Sequence, residues 1–123
     1  MKKRILFLLS VLITVSIIIV SCYKSKNSYN SSSSTSKVSI TSSGYSPASL
    51  NVVMGSTVTW TNNDNAAHTV TNAEGSINSG DIMPGSSYSK TFATAGTYNY
   101  YDAHNTTMTG VLIVTTAATS GGY

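Results

Sequence analysis

The chain has 123 residues, enough for one domain and too few for a multidomain enzyme. Charged residues make up only 9% of it, against about 25% in ordinary globular proteins, and Ser, Thr, Asn and Tyr fill the gap. Three of the seven basic residues are Lys2, Lys3 and Arg4. Without them Lys24, Lys26, Lys37 and Lys90 balance Asp64, Glu74, Asp81 and Asp102, so the rest of the chain is neutral and lacks the electrostatic footprint of a nucleic-acid binder.

Taken in chain order, the first element is an export signal over residues 1–21. A basic start, Met1 to Arg4, precedes an apolar run from Ile5 to Val20 softened by Ser10, Thr14 and Ser16, shorter than the roughly 20 apolar residues of a stable span. It ends in Ile19-Val20-Ser21-Cys22, which resembles the lipobox of prokaryotic lipoproteins. That resemblance implies that Cys22 is lipidated and holds the protein to a membrane, outside the cytoplasm. Cys22 is the only cysteine, so no intramolecular disulfide can form. The bland alternative is an uncleaved anchor with a chance cysteine.

After Cys22, residues 23–36 are Ser, Asn, Lys and Tyr with one Thr and the run Ser31 to Ser34, a composition that cannot bury enough surface to offset its ordering entropy. They read as a tether, and residues 116–123 read as a similar tail. The folded unit is then 37–115, large enough for a modest core. Inside it the apolar period is two. Val38 and Ile40, Val58 and Trp60, and Tyr98 and Tyr100 alternate with polar neighbours, the mark of half-buried strands. Turn residues fall at Ser43-Gly44, Ser46-Pro47, Met54-Gly55, Asn62 to Asn65, Glu74-Gly75, Pro84-Gly85 and Ala95-Gly96, the spacing of an all-β sandwich of about seven short strands. No ten-residue window after Cys22 carries a helical stripe.

The segments Tyr45 to Val52, Gly55 to Asn62, His68-Thr69-Val70, Ser79-Gly80, Gly85, Phe92, Gly96 to Tyr100 and Met108-Thr109-Gly110 resemble, in register, the plastocyanin and amicyanin branch of the cupredoxins. The resemblance implies a Greek-key β-sandwich with one copper ion at one end, held by a histidine after the Trp-x-Asn strand and by Cys, His and Met on the loop between the last two strands. His68 fits the first histidine and Met108 the methionine. Asp102 stands at the cysteine place and Asn105 at the second histidine place, with His104 one residue early. A thiolate is soft and stabilises Cu(I), whereas a carboxylate is hard. A site of His68, Asp102, His104 and Met108, with Asn105 as a substitute for His104, would therefore be non-blue.

Each of these residues also has an ordinary reading: Asp102 as a turn aspartate, the histidines as loop residues, Met108 as core. Asp102 shares the parity of Tyr98 and Tyr100, however, so its carboxylate points to the side the tyrosines bury and needs a partner. No phosphate loop, reactive thiol or Cys pair supports an enzyme, and Trp60 is a core residue. Asn30-Ser31-Ser32 and Asn105-Thr106-Thr107 are glycosylation sequons. Two functions follow for a monomer on a membrane. One is metal handling, by electron transfer with a protein redox partner or by binding and delivery of copper. The other is a metal-free interaction or structural module at the cell surface.

Overall fold

The computed structural model describes residues 34–118, and Cys22, the export segment and most of the tether lie outside that range. Seven strands and no helix occur among the described residues: β1 (Thr35–Thr41), β2 (Gly44–Ser46), β3 (Ser49–Val53), β4 (Thr57–Asn62), β5 (Ser87–Thr91), β6 (Gly96–Tyr101) and β7 (Thr109–Thr115). They form a four-stranded sheet in the order β2-β1-β4-β5 and a three-stranded sheet in the order β3-β7-β6. β1 runs parallel to β4 and β3 parallel to β7, while the other pairs are antiparallel. β1 starts at Thr35, two residues ahead of the boundary read from composition, because Thr35 and Ser36 pair with Thr57 and Val58.

Alternation decides which side chains meet between the sheets. Val38, Ile40, Val58 and Trp60 point in from one sheet, and Val52, Tyr100, Leu112 and Val114 from the other, all buried. Trp60 is the centre. Its ring lies 5.6 Å from Tyr100, 5.8 Å from Tyr88 and 6.3 Å from Phe92, spacings at which aromatic pairs contribute about 0.5–1.5 kcal/mol each beyond area burial. The opposite face of the four-stranded sheet is polar. There Thr57 meets Thr91, Thr59 meets Ser89 and Thr61 meets Ser87 through hydroxyl hydrogen bonds of 2.8, 2.7 and 2.9 Å, which accounts for the shortage of charge in the composition.

Tyr100 depends on its cross-strand partner Gly110. A Cβ at Gly110 would overlap Tyr100 Cζ and its hydroxyl oxygen, so this glycine is required for space rather than for turn conformation. Gly110→Ala is expected to destabilise by about 1–3 kcal/mol through forced displacement of a core ring. Chemical denaturation measures this, and a neutral result would mean that the ring has free volume to move into.

Candidate functional site

The site end lies beyond the last residues of β4 and β6. Asn62, the buried end of β4, aligns the loop that follows: its Nδ2 donates to the Ala66 and Ile82 carbonyls at 2.7 and 2.8 Å, and its Oδ1 accepts from Asp64 N. His68 and Ile82 then exchange backbone hydrogen bonds, which fixes where the imidazole begins. From the other sheet, Asp102 follows β6 on the inward parity and is fully buried, with 0% exposure. Its loop closes tightly, with Asp102 N donating to the Met108 carbonyl, Asn105 N to the Asp102 carbonyl and Met108 N to the Asn105 carbonyl.

These two segments meet through side chains. Asp102 Oδ2 lies 2.8 Å from His68 Nδ1, and Asp64 Oδ2 lies 2.9 Å from His68 Nε2. Asp102 Oδ1 accepts from Thr69 N at 2.8 Å, Thr69 Oγ1 at 3.2 Å and His104 N at 3.1 Å. The hydroxyl of Thr69 also accepts from Ala103 N at 2.7 Å, and Tyr45 donates its hydroxyl proton to the Thr69 carbonyl. A carboxylate faces each ring nitrogen of His68, so both nitrogens donate only if the ring is an imidazolium.

Electrostatics agree with that assignment. Burial by itself would lower the His68 pKa, but the hydrogen bonds to Asp102 and Asp64 outweigh it and raise the value above 6.5. Burial would raise Asp102, and the bonds from His68, Thr69 N and His104 N reverse this and hold it below the usual carboxylate value. Asp64 is lowered chiefly by its bond from His68 and then by that from Asn65 N. The signs fix a pH profile. The histidine contribution is complete below the unfolded histidine pKa of about 6.5 and is lost as pH rises through the higher folded value. The carboxylate contributions are present above the unfolded value of about 3.9 and are lost as pH falls through the lower folded values. Stability is therefore expected to peak between about pH 4 and 6.5. His68→Gln should flatten the alkaline limb in thermal unfolding followed across pH, and an unchanged limb would refute the imidazolium assignment.

The remaining residues singled out in the sequence lie apart from this pair. His104 Nε2 bonds Asp81 Oδ1 at 2.8 Å, with side chains 51% and 60% exposed, so only its backbone N–H reaches Asp102. Asn105 uses its side-chain oxygen within its own loop, accepting from Thr107. Met108 belongs to the buried core. Among the described residues no three His, Cys, Asp or Glu side chains converge as a group that could hold a metal. Sequence reasoning missed Asp64 and Asp81 as partners of the two histidines. Asp64 is four residues before His68, a legible signal; Asp81 is 23 residues before His104 and gives none.

A family model for the cupredoxin-like domain matches residues 12–114. The chain belongs to the cupredoxin-like family. Plastocyanin of Scenedesmus fuscus is 38% identical over 68 residues, covering 46% of this chain and 69% of that one. A purple cupredoxin from Nitrosopumilus maritimus superposes with a TM-score of 0.58 at 26% identity over 65% of this chain and 99% of the other. An amicyanin variant solved in its Cu(I) form gives 0.60 at 28% identity over 65% and 81%.

The donor set of this cupredoxin does not fit copper. Both ring nitrogens of His68 are taken up by carboxylates, Asp102 Oδ1 already takes three donors and Oδ2 a fourth, and the carboxylate is a hard ligand. Two donors bound tetrahedrally to one ion at about 2.0–2.2 Å would stand roughly 3.3–3.6 Å apart, whereas His68 Nδ1 and Asp102 Oδ2 are 2.8 Å apart, a hydrogen-bond separation.

Proposed function

We propose that this cupredoxin works outside the cytoplasm, tethered through a lipidated Cys22, as a metal-free interaction module rather than as an electron carrier or an enzyme. The observation that carries the reading is the Asp102 carboxylate, buried and committed to four hydrogen-bond donors at the place where the family resemblance puts a thiolate. The bond from Asp102 to His68 joins the loops of the two sheets, the structural task a bridging ion would otherwise perform. Thr69, held on Asp102 and bonded by Tyr45 and Ala103, extends that tie into the core. The end of the sandwich is thus held in shape without a ligand, and its exposed groups, His104 with Asp81 and the Asn105 loop, are what a partner protein or surface would meet.

A second reading, a non-blue copper site at His68, Asp102 and Met108, draws on the loop closure between Asp102 and Met108, which keeps the short spacing that the resemblance implies. It requires the His68 to Asp102 bond to open and the ring to lose a proton. Copper(II) and zinc(II) titrated into the whole chain in detergent at pH 6 separate the two. The metal-free reading expects no bound ion after dialysis and no rise in Tm, since a ligand of the folded state would stabilise by about 2.7 kcal/mol at a hundredfold excess over Kd. One retained equivalent, lost in His68→Gln, would establish the copper reading instead. Mass spectrometry of the mature N-terminus tests the anchor, and a chain starting at Met1 would remove it.

A further inference from the structure

The loop between β6 and β7 carries a sequon, Asn105-Thr106-Thr107, whose side chains take no part in the His68 network. All three residues are exposed, and they form the turn that separates Asp102 from Met108. Thr107 N and Thr107 Oγ1 both bond Asn105 Oδ1, at 3.3 and 2.6 Å. A backbone N–H can only donate, so the atom facing it is the amide oxygen. Both bonds fall on Oδ1 and neither uses Nδ2. A hydroxyl proton placed on the amide oxygen draws electron density from the nitrogen side, which makes an N–H of Nδ2 easier to remove. Such an arrangement prepares a carboxamide, ordinarily inert, to act as a nucleophile, and it needs the hydroxyl residue two positions on.

We infer that Asn105 is a site of N-linked glycosylation, modified outside the cytoplasm from a polyprenyl-diphosphate-linked oligosaccharide by a membrane glycosyltransferase. In the transfer, Asn105 Nδ2 forms a bond to C1 of the first sugar, the C1–O bond to the diphosphate breaks with its electron pair leaving on the diphosphate, and Nδ2 loses one proton to a base of the enzyme. No oxidant or further reactant is needed. The inference rests on the export reading of residues 1–21, which would place the chain where such transfer occurs, and an exposed tight turn is where a bulky sugar can be carried without disturbing the core. A glycan here would stand beside the exposed His104 and Asp81 pair and enlarge the polar surface at that end of the sandwich. The inference is independent of whether the site end binds metal.

The test uses the whole chain produced in its source organism and, in parallel, in a yeast secretory host, with the Asn105 peptide read by mass spectrometry separately from the Asn30 peptide. The expected result is a glycan mass on the Asn105 peptide, absent in Asn105→Gln and in Thr107→Ala and retained in Thr107→Ser. Circular dichroism shows that each variant folds, as exposed substitutions should. A bare Asn105 peptide from the source organism, or glycosylation that survives Thr107→Ala, overturns the inference.

Discussion

Asp102→Ala is expected to cost about 3–5 kcal/mol, the range seen when one partner of a buried ion pair is removed, and to lower Tm by about 12 °C or more in a domain of this size. Four donors lose their acceptor at once: His68 Nδ1, Thr69 N, Thr69 Oγ1 and His104 N. Two of them are main-chain groups of loops that belong to different sheets, so the loss reaches beyond one side chain. His68 is 6% exposed, too little for water to replace the carboxylate without movement of the loop. Asp102→Asn should cost less, because an amide oxygen can still serve Thr69 and His104, while its NH2 group can donate to His68 Nδ1 once the ring gives up that proton. Urea denaturation reads both values from the midpoint at unchanged m. A loss under about 1 kcal/mol for Asp102→Ala would show that the carboxylate contributes no more than an exposed ion pair does and would remove the basis of the metal-free reading.

The sandwich was legible because its determinants are local. Val58 and Trp60 alternate with Thr57, Thr59 and Thr61, and one such strand specifies which face is buried whatever its partners are. Turn glycines such as Gly55 and Gly85, at positive φ, mark where strands stop. The burial of Asp102 followed from the same parity, counted on from Tyr98 and Tyr100. The partners of the site residues were less legible, because side-chain hydrogen bonds between loops depend on distances no alternation encodes. His104 and Asn105 are neighbours in a tight loop, so a single residue of register decides whether an imidazole faces inward, and the loop closes with His104 turned to Asp81. The resemblance places a cysteine where Asp102 stands; only the structure shows that His68, Thr69 and the backbone N–H of His104 supply the hydrogen bonds that hold the buried carboxylate.

That substitution should be reversible, and the double change Asp102→Cys with Asn105→His is expected to convert a chain that gives no intense colour with copper(II) into one with a strong blue or green band. The two positions are those at which the resemblance places the thiolate and the second histidine, and Met108 already stands at the axial place. With Asp102 gone, His68 Nδ1 loses its carboxylate while Nε2 keeps Asp64 at 2.9 Å. The ring can then be neutral, with its proton on Nε2 and a lone pair on Nδ1, the state in which a carboxylate behind a histidine orients it toward a metal. Two imidazoles, a thiolate and a weak thioether make a blue-copper donor set. Asp102→Cys alone should bind more weakly, since it lacks the second imidazole. Visible absorption after dialysis against copper(II) measures the gain. A folded double variant that stays colourless would show that the β6–β7 loop no longer holds the family's ligand register, and that the departure from copper lies in the backbone as well as in the two side chains.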